Sequence, residues 1–290
     1  MKSNKYPRVL HALACEPWCI SPAMHGVLCG ILGAHIRGGD DLAAARMQGA
    51  KLLAEQEEDA PEPVEYINGV AVVTVGGVLA RKFSNMLNSS GVTSTDVLEG
   101  TIARLADDPA AKAIFLAIDS PGGQASGIPE AAAAVRAAAE KKPVIAYADG
   151  QMNSAAYWLA SQANMILATP SGDIGCIGAY LALLDESRAY ATAGLSVEMF
   201  KNGDYKGMGY PGLPLTDAHR KMLQERVDSI SAQFKNEVLA NRPTVSGEVM
   251  QGQSFPAKDA LAVGLIDGIA GIGEAIGAAL RYSNMRLGAK

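Results

Sequence analysis

From Tyr66 onward the chain alternates short apolar runs with alanine-rich stretches, and this alternation restricts the fold more than any other feature of its 290 residues. Residues 70–75 and 113–118 read as strands, and the second contains no polar position, as a strand covered on both faces of a sheet requires. Residues 95–106 place Val97, Leu98, Ile102 and Leu105 at helical spacing, and residues 128–141 form an alanine-rich helix. A Lys141-Lys142-Pro143 break precedes another strand at 143–148. Further strands are expected at 165–168, 179–184 and 196–200, with Gly76-Gly77 as a turn. A long helix is expected at 215–241 and a short one at 257–263. Repeated strand–helix units imply an α/β fold with parallel pairing, and no period of 20–50 residues points to a solenoid. In such sheets ligands bind beyond the carboxyl ends of the strands, so the strand ends are where chemistry is expected.

Residues 1–60 have a different texture. Pro17 and Pro22 interrupt short helical pieces, residues 38–41 form a turn, and a helix is expected from Asp40 to Glu58 before the acidic, proline-bearing stretch 57–63. This reads as an N-terminal helical arm and linker with a possible partner-binding role, followed by one α/β domain over 61–290. The cysteines Cys15, Cys19 and Cys29 lie near His11, His25 and His35, without a C-x-x-C pair, so reduced thiols are expected and no metal.

With 49% hydrophobic and 19% charged residues the chain can bury a substantial core. A formal charge of -5 and the lack of any Lys/Arg cluster longer than two argue against nucleic acid as a partner. No apolar run reaches the 18 residues needed to span a bilayer. The apolar run at 9–14 is too short for a signal core and meets Glu16-Pro17 at once, so the protein is read as not exported.

Three strand ends carry candidate chemistry. Ser154 stands where the strand at 143–148 gives way to a small-residue helix, a junction whose free N–H groups favour a developing negative charge. A serine there can equally be a helix cap. Ser120-Pro121-Gly122-Gly123 follows a buried strand, and the glycines can turn their N–H groups outward as an oxyanion hole, or can form a plain turn. A nucleophilic serine needs a base, usually histidine. Three histidines lie in the arm, and His219 falls in the charged run Asp217-Ala218-His219-Arg220-Lys221, which reads as a solvated helix face. Lysine can take the role where desolvation disfavours its ammonium, and Lys206, bracketed by Gly203 and Gly207, is the candidate, though by itself it is an ordinary loop lysine.

In their order along the chain these blocks resemble the signal peptide peptidase A type of serine peptidase. The resemblance rests on Ile118-Asp119-Ser120-Pro121-Gly122-Gly123, Asn153-Ser154-Ala155-Ala156-Tyr157-Trp158, Gly175-Cys176-Ile177-Gly178, Gly203-Asp204-Tyr205-Lys206, and a C-terminal block from Gln253 to Asp267. It implies a crotonase/Clp-protease-like fold and a Ser-Lys dyad of Ser154 and Lys206. It further implies Gly122 and Gly123 as oxyanion hole, no cofactor, and a homo-oligomer. Where the family has a serine that orients the lysine, this chain has Cys176, a weaker hydrogen-bond partner. The wording after Ser154 and the arm resemble the phage branch, prohead proteases that cut scaffold and capsid-associated proteins during head maturation inside the procapsid in the host cytoplasm. Two alternatives stay open: a crotonase-type acyl-CoA enzyme, and a degenerate protease-fold component of the capsid or scaffold.

Overall fold

A computed structural model of the chain describes residues 17–22, 24–26, 64–81 and 92–288, with side chains to Met285. The expected helix at 40–58, the linker, and His11, Cys15, Cys29 and His35 lie outside the described residues.

The centre of the fold is a row of parallel strands. In it β3 (Val70–Ala80) pairs with β5 (Ala113–Gln124), β5 with β6 (Val144–Asn153), and β6 with β7 (Met165–Ala168). β2 (Glu65–Ile67) adds an antiparallel edge beyond β3, and β10 (Gly268–Ile269) continues the sheet beyond β7. The central strands outlast their apolar cores: β5 runs through Ser120-Pro121-Gly122-Gly123, and β6 runs on to Asn153.

These extensions create a second, smaller set of pairings at the carboxyl ends. β4 (Val92–Ser94) joins the end of β3, and β8 (Asp173–Gly175) joins the end of β6. β9 (Ser254–Pro256) pairs with β8, and β1 (Trp18–Ile20) lies antiparallel on the last residues of β5. Gly76-Gly77, expected as a turn, lies inside β3 instead. The strand bulges there, with Gly77 at φ 61°, while Thr93 Oγ1 accepts from Gly76 N and donates to Gly76 O. A glycine pair that reads as punctuation here bends a strand without ending it.

Helices α1 (Thr95–Asp107), α2 (Ile128–Lys141) and α3 (Ala155–Ala160) close one face, where Leu98, Ile102, Leu105, Val135 and Ala138 join the main core. Ser94 caps α1 by accepting from Val97 N. α7 (Ile272–Gly288) covers the other face, with Ala275 and Ala279 against Val70, Phe115, Ile145 and Tyr147. Both faces of β5 are therefore dry, which is the physical reason for its unbroken apolar run.

α5 (Asp217–Asn241) is the long expected helix, and α6 (Ala257–Ala262) the short one. Between β8 and α5 the expected strands at 179–184 and 196–200 do not form. Tyr180 makes an isolated bridge to Trp18, and the only helix among the described residues there is α4 (Ser187–Thr192), none of whose side chains is buried. Ile177 is buried in the main core, but further along the apolar residues find little cover within one chain: Leu184 is 83% and Phe200 94% exposed. Without a sheet to pair with, an apolar run has no reason to be a strand.

Candidate active site

Ser154 occupies the turn between β6 and α3 with φ 55° and ψ -117°, a conformation that L-residues rarely adopt. The backbone is pinned on both sides: Ser154 N donates to Gly175 O at 2.7 Å, and Trp158 N donates to Ser154 O at 2.9 Å. Behind it, Ala155 to Ala160 are all buried, so the turn rests on close-packed side chains.

The hydroxyl makes no cap hydrogen bond to α3. Ser154 is 1% exposed, and its Oγ has no hydrogen-bond partner among the described residues. A helix cap is thus excluded as the reason for this serine. A buried hydroxyl held in a strained turn without a partner costs stability.

The glycine segment lies directly opposite. A Cβ on Gly122, whose φ is 102°, would fall 2.9 Å from Ser154 Cβ and 2.2 Å from Cys19 O. A Cβ on Gly123 would strike Leu79 O at 1.9 Å. Glycine is required at both positions by close approach. The two N–H groups diverge, contrary to the expectation that both face outward. Gly122 N donates to Ser120 Oγ at 3.2 Å, and that hydroxyl donates to Gly77 O at 2.6 Å. Gly123 faces the arm, as the pairing of β1 shows.

Cys176 follows the β8 residue paired with Asn153, at φ 52°, and its N donates to Gln253 O at 2.7 Å. Burial pushes its thiol pKa up, with Asp173 adding to the effect. The buried Cys19 thiol is pushed up to about 12 by burial, with Cys176 contributing. Both are protonated and inert at neutral pH. Asn153 donates to Asp173 Oδ2 at 2.7 Å, tying β6 to β8 on the other side of the nucleophile turn. Among the described residues no cluster of metal-ligating side chains occurs.

Lys206 is not brought to Ser154 within this one chain. It lies exposed in the turn 203–209, where its N donates to Gly203 O at 3.4 Å. Burial of this lysine by its own chain was expected and does not occur, because the segment from Leu184 to Leu213 packs against little of the core. His219, expected on a solvated face, is instead buried. Its Nδ1 accepts from Thr216 N at 3.3 Å, completing a capping box at the start of α5, while its Nε2 lies 3.0 Å from Asp204 O. The assigned roles leave Nε2 as the N–H donor to Asp204, so His219 ties the Lys206 turn to the helix. The charged neighbours in sequence hid this role, and only the Thr216-to-His219 spacing of a capping box could have revealed it.

The arrangement is a strained, uncapped serine packed against a glycine strand end at the carboxyl edge of a parallel sheet. The chain belongs to peptidase family S49, whose profile matches residues 136–285. Over 283 residues it is 28% identical to the capsid assembly protease C of Escherichia phage lambda, covering 93% of this chain and 64% of that protein. It is 28% identical over 295 residues to the head-tail preconnector protein GP5 of Enterobacteria phage P21, covering 97% of this chain and 58% of that one. The chain thus spans about three fifths of the length of these phage relatives. A serine protease SPPA of Arabidopsis thaliana chloroplasts is 27% identical over 225 residues, covering 76% of this chain and 33% of that one. Among solved structures it overlays an enoyl-CoA hydratase/isomerase family member (TM-score 0.40, 20% identity, 75% and 74% covered). It also overlays the membrane-bound stomatin-specific protease 1510-N (TM-score 0.37, 18% identity, 72% and 79% covered). Among the described residues no helix is long and apolar enough to cross a membrane.

Proposed function

We propose that this chain is a serine endopeptidase acting on scaffold or capsid-associated polypeptides during phage head maturation, inside the procapsid in the host cytoplasm. The observation that carries the reading is the Ser154 hydroxyl, buried and unpartnered in a strained turn beside Gly122.

In the proposed reaction Ser154 Oγ attacks the scissile carbonyl carbon while its proton passes to the amine of Lys206. The negative charge that develops on the carbonyl oxygen is held by main-chain N–H groups of the glycine segment, of which Gly123 is the better placed. One such donor is worth about 3 kcal/mol of barrier. Collapse of the tetrahedral intermediate breaks the C–N bond, and the leaving amine takes the proton back from Lys206. Water then hydrolyses the acyl-enzyme by the same route. No metal or cofactor enters these steps.

Lys206 reaches Ser154 in this reading when the chain associates with a second copy of itself. Leu184, Leu195, Phe200, Tyr205 and Tyr210 expose apolar surface on the segment that carries the lysine, and the serine it would serve is buried without a partner. Several large apolar side chains exposed on one segment suit an association surface. Packing there would desolvate the amine, which favours its neutral form.

The test is complementation. Ser154→Ala and Lys206→Ala chains, each alone, should fail to cleave co-expressed head proteins, and a mixture of the two should recover cleavage. A mixture as inactive as its components, with wild type active, would remove the shared site. A wild-type protein whose Ser154 takes no fluorophosphonate label at any concentration would leave only the structural capsid or scaffold role.

A further inference from the structure

The groove between the end of β5 and Tyr180 is already filled, by the chain's own residues 17–21. Ser21 N donates to Pro121 O at 2.9 Å and Ala125 N donates to Pro17 O at 3.2 Å, which fixes an antiparallel register with Cys19 opposite Gly123. Antiparallel pairs alternate between those that exchange both main-chain hydrogen bonds and those that exchange none, so Cys19 and Gly123 are the exchanging pair between these two. On its other edge Trp18 exchanges both bonds with Tyr180, at 2.9 and 3.0 Å.

The arm strand is therefore hydrogen-bonded on both sides while running against the direction of β5. Its side chains alternate as a strand requires: Trp18 and Ile20 pack with Val78, Met24 and Tyr180, and Cys19 enters the main core. The placement of one carbonyl gives this strand its meaning. Cys19 O points at the Gly123 N–H and crowds the same side of Gly122 as Ser154 Cβ. The arm carbonyl and the Ser154 side chain thus lie on the same side of Gly122.

We propose that Pro17–Ser21 is an autoinhibitory occupant of this groove, held antiparallel to residues 121–125 with the small Cys19 side chain opposite Gly123, which an incoming extended polypeptide must displace. The inference rests on Ser154 as the nucleophile for its functional meaning, but strand binding itself is independent of chemistry. Main-chain hydrogen bonds give such a site affinity for almost any extended sequence, and the alternate side chains give it selectivity. Only three residues pair, so the contact is short and leans on the burial of Trp18 and Ile20.

The probe is an acetylated, amidated peptide spanning Pro17–Ser21, added to the full-length Ser154→Ala protein and followed by hydrogen exchange. Saturating peptide should raise exchange at Cys19 and Ser21 at least tenfold while the amides of Gly123 and Ala125 stay protected. A peptide carrying Trp in place of Cys should do this at least tenfold less effectively. In a second arm, Trp18→Ala/Ile20→Ala protein, checked as folded by circular dichroism, should bind the fluorescent peptide more tightly than the parent. If the peptide leaves exchange at residues 17–21 unchanged and the double variant gains no affinity, the groove is a fixed structural contact and the proposal fails. Displacement without any Ser154 labelling in the wild-type protein would keep the groove and overturn only the peptidase reading.

Discussion

The imidazole of His219 and the carbonyl of Asp204 face each other across 3.0 Å, fastening the turn that carries Lys206 to the first residues of α5. Thr216 caps the same helix by accepting from His219 N at 3.2 Å, so two neighbouring residues share the cap but only one reaches the lysine turn. Thr216→Ala should lower stability by about 1 kcal/mol with turnover per folded molecule unchanged. His219→Ala should cost a similar amount and also reduce turnover several-fold, because a hydrogen bond of about 1 kcal/mol no longer orders the turn. Urea unfolding paired with a cleavage assay separates the two, and equal turnover in both variants would show that the His219 contact serves the helix alone.

Directly behind Ser154, Trp158 stacks on Phe234 with ring centroids 4.6 Å apart and planes at 5°, and Trp158 Nε1 donates to Glu237 Oε2 at 2.8 Å. This pair of contacts fastens α5 to α3. Phe234→Ala should destabilise by about 3–5 kcal/mol through the cavity it leaves. Glu237→Gln, which keeps an acceptor oxygen, should cost about 1 kcal/mol or less. Chemical denaturation of the two variants checks the ordering; comparable losses would mean that the hydrogen bond and not the stack holds the helices together.

Much of this architecture was legible because it depends on periodicity. The apolar run 113–118, the helix at 128–141 and the Ser154 junction all lie where burial on both faces of a sheet dictates them. What escaped was tertiary. Trp18-Cys19-Ile20 pairs with residues about a hundred positions away, and nothing in a proline-punctuated arm signals that register. Runs 179–184 and 196–200 carry strand-like residues, but of these only Tyr180 finds a bridge, to Trp18, so composition overstated them. Lys206 was expected to be buried because its block suggested a role, whereas its environment in one chain is solvent.

The two oxyanion-segment glycines should respond differently to a methyl group. At Gly123 the added Cβ meets main chain, Leu79 O at 1.9 Å, which cannot move without breaking the β3–β5 ladder. Gly123→Ala should therefore destabilise the whole domain by about 3 kcal/mol or more. At Gly122 the clash falls on Cys19 O and Ser154 Cβ, with a φ of 102° adding strain. Gly122→Ala should leave a folded protein, expel residues 17–21 from the groove, and abolish Ser154 labelling. Circular dichroism with probe labelling tests this, and normal labelling of a folded Gly122→Ala protein would contradict the proximity of the two sites.

Alkaline pH should undo the core around the two cysteines. Burial, with Cys176 beside it, raises the Cys19 thiol from 9.0 to about 12, and burial and Asp173 raise Cys176 as well. In the unfolded chain both thiols ionise near 9.0, so between there and the folded values the unfolded state binds fewer protons. The stability from keeping these thiols neutral is therefore complete below the unfolded value and is lost as pH rises through the folded one. Each thiol should contribute a slope on the order of 1 kcal/mol per pH unit above about pH 9. Buried Tyr157, also raised by burial, adds its share at still higher pH. Urea unfolding under reducing conditions at about pH 8 and about pH 10 should show a clear loss, and Cys19→Ala should flatten it. Equal stability at both values in the unsubstituted protein would mean that the Cys19 thiol is solvated, and hence that the arm strand does not sit sealed against the β5 edge.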